Sequence, residues 1–450
     1  MRRKITEELL KWKQKDHGRT ALLVEGARRV GKSYIVEEFG REYYKSCILI
    51  DFMAAGPQIR QLFEDYLDDL DSFFSRLSLI FRTELFERDT LIIFDEVQMY
   101  PRARAAIKYL VKDGRYDYIE TGSLLSIRKN IQGIVIPSEE KHIRLNPMDF
   151  EEYLWARNDN VTMNIVRSCF EKRKPLGQIA HREIMKRFRE YLLIGGMPQV
   201  VETFNRTNDF LKAEETKRMI IDLYRDDIAK YAEGYQEKVM AIFDEIPFSL
   251  SRHEISFKLS SISDKARMRE YEKAFFWLND SRICNMCYLS TDPNIGLNMN
   301  AERLRFKPYV ADTGLLISMI FDENGLADRQ IYEKILSDKL EVNLGIVIEN
   351  AVAQMLTASG RRLFYYSSYD TADKENRMEI DFLIRKRNVT SRHNIVPVEV
   401  KSTTHYKTIS LKKFTRKFQS YSAEPIIIHA GDYMVRDGIE CFPVYMTQLV

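Results

Sequence analysis

The octapeptide GARRVGKS, residues 26–33, constrains this chain more than any other stretch. It fits G-x-x-x-x-G-K-[ST] through Gly26, Gly31, Lys32 and Ser33. It stands between an apolar strand candidate, TALLVE, and a helix-opening segment, SYIVEEF. Such a loop works where a strand ends and a helix begins: backbone N–H groups of Gly26, Ala27, Arg28, Arg29, Val30 and Gly31 curl around phosphate oxygens, and the helix N-terminus adds positive potential. Lys32 neutralises charge on the β- and γ-phosphates, and the Ser33 hydroxyl ligates magnesium. The spacing therefore predicts an α/β fold with a parallel sheet, and ATP with Mg2+ as the group it holds.

A second element supports the first from a distance. TLIIFDEVQ is a buried-strand run that ends in Asp95 and Glu96. Asp95 at a strand's C-terminal edge is placed to hold the metal, and Glu96 to polarise an attacking water. A pure nucleotide holder needs only the aspartate; the added glutamate points to hydrolysis. Further on, YDYIETGSLLS reads as a strand ending in Thr121-Gly122-Ser123, where Ser123 is assigned as a γ-phosphate sensor, with a helix N-cap as its plainer role.

The ordered set GARRVGKS, FDEVQMYP, ETGSLL, IRLNPMDFEEYL and LIGGMPQVV resembles the bacterial and archaeal AAA-type ATPases that carry a C-terminal DUF4143 region. The resemblance covers nearly the whole chain. It implies a P-loop NTPase core with an additional strand over residues 1–155, a helical lid over 156–235, a winged-helix-like segment over 236–325, and a C-terminal α/β, restriction-endonuclease-like domain over 326–450. Many relatives carry a Gly-Arg pair before the L-x-P-[LM] segment, and IVIPSEEKHIRLNPMDF lacks it, which leaves Arg144 as the candidate arginine finger. Arg225, in DLYRDDIAKY, reads as a helix-surface ion-pair former.

Length and composition fit this plan. With 450 residues, 45% of them hydrophobic, there is room for roughly two to four ordinary cores. No window reaches the ~18 consecutive apolar residues of a membrane span. MRRKITEELLKWKQKDHG is a charged amphipathic helix without a signal peptide's apolar centre, so a cytoplasmic protein with no membrane partner is expected. Five cysteines at irregular spacing give no disulfide framework. Cys284 and Cys287 form a C-x-x-C with no second ligand pair nearby and read as small apolar residues of a strand. A net charge of +3, with 30% charged residues, leaves the choice of partner to local distribution.

That distribution shows two features. ARMREYEKAFFWLNDSRI has one apolar helical face through Tyr271, Ala274, Phe275 and Leu278, while Lys265, Arg267, Arg269 and Lys273 cluster at its start, diluted by Glu270 and Glu272. Two strand-like runs follow, the order of a winged helix, which makes DNA contact here an alternative to a solvated face. In RMEIDFLIRKRNVTSRHNIVPVEVKS, Asp381 lies in one strand and Glu399 and Lys401 share one face of the next. They form a PD-(D/E)xK-like pattern. Asp381 and Glu399 would hold magnesium and Lys401 would orient water or offset transition-state charge. Glu349, the lone acid in the apolar LGIVIENAVAQML, is the upstream acid that completes the set, and Glu379 lies on the same face as Asp381. A basic run, Lys407, Lys412, Lys413, Arg416 and Lys417, offers a phosphate track or one solvated helix face.

Three readings stand: an ATPase coupled to nucleic acid, DNA favoured, with a metal-dependent nuclease; a nucleotide-gated DNA-binding switch whose second carboxylate set is structural; and an ATP-dependent scaffold for a protein partner. A homo-oligomer is compatible with each.

Overall fold

The computed structural model describes residues 1–122, 139–252, 254, 256–264, 266–293, 296–321, 329–336, 345–369, 373–386, 393–403 and 406–450. It forms two compact units, Met1–Asn146 and Pro147–Val450.

The first unit is a three-layer α/β structure. Helices α1 (Ile5–Asp16), α2 (Lys32–Tyr43), α3 (Pro57–Asp65), α4 (Leu70–Phe81) and α5 (Pro101–Asp113) flank strands β1 (Ala21–Glu25), β2 (Ser46–Asp51), β3 (Thr90–Asp95), β4 (Asp117–Gly122) and β5 (Glu140–Arg144). The sheet order is β2-β3-β4-β1-β5, with every pair parallel. This is the P-loop NTPase core with the additional strand, β4, inserted between the loop-bearing β1 and the acid-bearing β3. Strands β1, β3 and β4 are buried throughout, as parallel strands covered on both faces must be. Leu22, Val24, Ile93 and Ile119 pack under α1 and α2, against Leu9, Trp12, Val36 and Phe39. On the opposite face Ile50, Ile92 and Phe94 meet Phe63, Phe73 and Leu77 of α3 and α4 and Ile107 of α5. Burying a phenylalanine or leucine side chain of this kind stabilises the fold by about 1.5–3 kcal/mol.

The second unit opens with helices α6 (Phe150–Ala156), α7 (Thr162–Lys172), α8 (Gln178–Ile194), α9 (Pro198–Thr207), α10 (Phe210–Tyr231), α11 (Gln236–Ser251) and α12 (Met268–Asp280). The segment IGGMPQ turns the chain between α8 and α9, as its glycines and proline predict. Both glycines are required by close approach: a Cβ on Gly195 would lie 2.2 Å from Asp312 Oδ1, and one on Gly196 2.1 Å from the Met148 carbonyl oxygen. The buried Asp312 carboxylate accepts the Gly196 N–H at 2.5 Å and the Leu315 N–H at 3.0 Å.

Strands β6 (Cys284–Ser290) and β7 (Ala301–Val310) form an antiparallel hairpin, followed by helices α13 (Thr313–Ile320), α14 (Arg329–Leu336) and α15 (Gly345–Ala358). Strands β8 (Leu363–Ser368), β9 (Met378–Ile380), β10 (Phe382–Arg385) and β11 (Ile395–Lys401) come next. Helix α16 (Ile409–Lys417) and strands β12 (Ile426–His429), β13 (Met434–Arg436) and β14 (Ile439–Pro443) complete the chain. Two sheets result, β10-β11-β12-β14-β13 and β7-β6-β8-β9. The hairpin is not a free-standing wing, because β6 also pairs in parallel with β8, Cys287 opposite Leu363. Cys284 and Cys287 are buried free thiols in β6. No helix among the described residues is long and apolar enough to cross a membrane.

Candidate functional site

Strand β1 delivers the chain to the loop at Glu25, and α2 begins at Lys32. Between them Arg29 at φ 67° and Gly31 at φ 93° take the left-handed turns that curl the backbone. Gly26 passes so close to β5 that a Cβ there would stand 2.4 Å from the Leu145 carbonyl oxygen. Arg3, just before α1, braces the loop through the carbonyls of Val30 at 3.2 Å and Asn146 at 2.6 Å. Lys32 is buried, and its ammonium donates to the carbonyls of Gly26 at 3.1 Å and Ala27 at 3.0 Å. Its charge is thus held over the loop by neutral oxygens.

The acid-bearing strand meets this loop at Asp95. The Ser33 hydroxyl donates to Asp95 Oδ1 at 2.7 Å, and the Thr121 hydroxyl donates to the same oxygen in a very short bond. Thr121 Oγ1 in turn accepts the Glu96 N–H at 3.2 Å. Glu96 sits at φ 51°, a left-handed conformation that costs a non-glycine residue about 1–2 kcal/mol, and its carboxylate is held by the Gln98 amide. Ser33, Asp95 and Thr121 offer hard oxygen donors beside a glycine-rich loop, which is the donor chemistry magnesium and a triphosphate need. These residues fit a magnesium nucleotide. Ser123 lies outside the described residues. Sequence reasoning passed over Thr121, although it stands in the same Thr-Gly-Ser triplet.

A charged cluster supports the strand that carries the loop. His142 of β5 reaches Glu25 Oε1 at 2.9 Å and Glu140 Oε1 at 2.7 Å. Buried Arg104 of α5 lies 2.9 Å from Glu140 and 3.4 Å from Glu120. Hydrogen bonds to Glu140 and then Glu25 push the His142 imidazole up to about 9. Arg144 is exposed at the end of β5. Arg225 pairs with Asp244 at 3.2 Å and Asp222 at 3.5 Å, the surface ion pairing its sequence predicts.

The second constellation also converges, with partners the sequence did not reveal. Glu349 on α15, Asp381 between β9 and β10, and Glu399 and Lys401 on β11 share one charged neighbourhood. Asp381 Oδ2 accepts the Val400 N–H at 2.8 Å. Lys401 Nζ lies 3.0 Å from Glu399 Oε2, an ion pair that holds this buried oxygen. Burial pushes the Glu399 carboxyl up to about 7 against the pull of Lys401, and Asp381 adds to the rise. The missed partners come from β7 and β9. Lys307, nearly buried, lies 2.7 Å from Glu379 Oε1 and 3.7 Å from Glu349 Oε1, and Tyr309 donates to Glu349. Burial lifts the Glu349 carboxyl too, with Lys307 opposing. Among the described residues, no three Asp, Glu, His or Cys side chains are grouped so as to hold a metal ion. The magnesium ligands expected here, Glu349, Asp381 and Glu399, therefore do not form a metal-ready set, and lysine ammoniums offset their charge instead. A lone lysine inside the apolar run FKPYVA was the available signal, since a buried cation needs an acid.

The cationic surfaces divide. In the basic run of α16, Lys412 pairs with Asp437 at 2.8 Å and Arg416 with Glu375 at 3.5 Å, while Lys413 caps the Lys374 carbonyl at 2.6 Å. Arg267, just before α12, and Arg269 and Lys273 on it are exposed, and Phe276 on the same helix is 40% exposed. Arg303 and Leu304 of β7 share a shallow groove with Phe276. Lys265 lies outside the described residues.

Residues 18–154 match the family model of the AAA domain, residues 185–326 a domain of unknown function, DUF8612, and residues 344–447 another, DUF4143. No curated protein matches the chain. Among solved structures, a Walker-type ATPase of Pyrococcus abyssi is 15% identical at a TM-score of 0.41, covering 71% of this chain and 95% of its own. The Orc1 protein of Aeropyrum pernix, solved in complex with DNA, is 11% identical at 0.28, covering 75% and 93%. AMPPCP-bound DnaA from Aquifex aeolicus is 12% identical at 0.23, covering 61% and 84%.

Proposed function

We propose that this AAA-type P-loop ATPase is a nucleotide-gated switch for nucleic acid, DNA favoured, whose C-terminal domain is a nuclease-like scaffold that binds without cutting. The observation that carries the ATPase half is the meeting of Ser33 and Thr121 on one oxygen of Asp95, at the carboxyl edge of a parallel sheet and beside the Lys32 loop. With magnesium bound, Ser33 and Asp95 would hold the ion, which supplies charge neutralisation on the phosphates. Lys32 exchanges its carbonyl partners for phosphate oxygens. Glu96 takes the proton of the attacking water, its backbone fixed through Thr121.

The nucleic-acid half rests on the exposed cations Arg269, Lys273 and Arg303 beside Phe276 and Leu304, in a groove that Glu272 also lines, with an aromatic on which a base can stack. The acids of the C-terminal cluster are paired with lysines, which supports a scaffold that binds without cutting. A change of affinity between ATP and ADP states would couple the two halves by population shift.

Fluorescence anisotropy of labelled single- and double-stranded DNA, with ATP, ADP or no nucleotide at rising salt, tests the reading. The expected result is salt-dependent binding that changes with nucleotide and weakens in Arg269→Ala/Lys273→Ala, with the DNA intact. Binding insensitive to salt and nucleotide would remove the switch and favour the protein scaffold. A cutting reading has one observation in its favour, the shared neighbourhood of Asp381, Glu399 and Lys401. Cleavage with Mg2+ or Mn2+ that Asp381→Ala abolishes would put it first.

A further inference from the structure

We infer that Arg3 is a positioning residue of the nucleotide site, which keeps the phosphate loop in the shape that receives ATP, so that its loss weakens nucleotide binding and spares the rate of the bound complex. The inference rests on the ATPase reading and adds to it a residue that lies well ahead of the loop in sequence.

A loop that turns its N–H groups inward to meet phosphate turns carbonyl groups outward, and a buried carbonyl needs a donor. The carbonyls of Gly26 and Ala27 take the Lys32 ammonium at 3.1 and 3.0 Å, and the Gly31 carbonyl takes the Ile35 N–H at 3.1 Å. The Val30 carbonyl takes Nη1 of Arg3 at 3.2 Å. These two cations differ in permanence. Lys32 turns to the phosphates when nucleotide binds, whereas Arg3 is buried and stays on the backbone. Its other terminal nitrogen, Nη2, donates to the Asn146 carbonyl at 2.6 Å. The residues just after β5 are in turn tied to the start of the loop. The Leu145 N–H donates to the Glu25 carbonyl at 2.7 Å, and the Leu145 carbonyl oxygen would lie 2.4 Å from a Cβ on Gly26. One planar guanidinium thus joins the last turn of the loop to the segment that grips its first residue, and closes a frame around it. A frame built in advance lowers the cost of ordering the loop on binding, so the effect belongs in affinity. The chemical step uses Lys32, Asp95 and Glu96 and leaves Arg3 where it is.

The test is binding of a ribose-labelled fluorescent ATP analogue with Mg2+ to the full-length protein, beside steady-state ATP hydrolysis. Arg3→Met keeps the bulk and removes every donor; it should weaken binding and raise KM by about tenfold, with kcat within about twofold. Arg3→Lys, which keeps the charge without the fork, should recover part of the affinity. Phe73→Leu, a core change on the opposite face of the sheet, supplies the comparison: it should lower the melting temperature and leave nucleotide affinity unchanged. If circular dichroism shows that Arg3→Met does not fold, Arg3→Gln, too short to serve both carbonyls, takes its place with the same expectation. Unchanged affinity in a folded Arg3 variant overturns the inference, as does an equal loss of affinity in Phe73→Leu or a fall confined to kcat. If wild type binds no nucleotide, the ATPase reading falls and the role of Arg3 with it. If wild type binds and Lys32→Ala does not, normal binding by Arg3→Met removes the role of Arg3 alone.

Discussion

Two buried lysines in this molecule are held by different kinds of oxygen and do opposite things. Lys32 rests on the carbonyls of Gly26 and Ala27, while Lys307 rests on the carboxylates of Glu379 and Glu349. Neutral oxygens hold an ammonium loosely enough that a polyphosphate can draw it away, whereas carboxylates beside a buried ammonium are the strongest partners it can meet. The partner, more than the residue type, decides whether a cation is kept in reserve for a ligand or spent on structure.

The sharpest way to break this contrast is to remove each cation in turn. Lys32→Ala should abolish nucleotide binding and with it ATP turnover, with the melting temperature of the nucleotide-free protein nearly unchanged. Lys307→Met should do the reverse, keeping basal turnover within about twofold while lowering stability by on the order of 3 kcal/mol in denaturant titration. If both variants lose turnover equally, the contrast is wrong. Glu96→Gln should retain ATP binding and slow hydrolysis by about 10²-fold; a wild-type rate in a coupled phosphate-release assay would take water activation away from Glu96.

A smaller effect sharpens the nucleotide site. Thr121→Val removes the hydroxyl shared by Asp95 and the Glu96 N–H, and turnover should fall about 10- to 100-fold while nucleotide affinity changes less. Equal loss of both would make Thr121 a binding residue only. The smallest effect concerns pH. His142 is raised from 6.5 to about 9, so its contribution is fully present below pH 6.5 and is lost as pH rises through 9. Melting curves between pH 6.5 and 9.5 should show a decline of a degree or two in wild type that His142→Gln flattens.

The sequence disclosed what was written contiguously. Gly26 to Ser33 and the Asp95-Glu96 pair were readable because a strand end and a helix start are fixed by adjacent residues. The strand alternation of Glu399 and Lys401 was readable for the same reason. The place of Thr121 was not, since only the pairing of its strand with β3 brings its hydroxyl to Asp95. Lys307 was hidden by distance, because its partners arrive from a helix and a strand much further along the chain. The ion pairs of the basic run on α16 were hidden in the same way: its acids, Glu375 and Asp437, flank it in space but are remote in sequence.

The parallel pairing of β6 with β8 has a practical consequence for anyone dividing this chain. The matched segments 185–326 and 344–447 meet between those strands, so the boundary that inheritance suggests runs through a continuous hydrogen-bonded ladder. A fragment starting near residue 344 would leave β8 as a raw edge and strip the acid cluster of Lys307. Open edges recruit other strands. Such a fragment is expected to be poorly soluble whatever its own core can do, because the unit that was inherited and the unit that folds are not the same length.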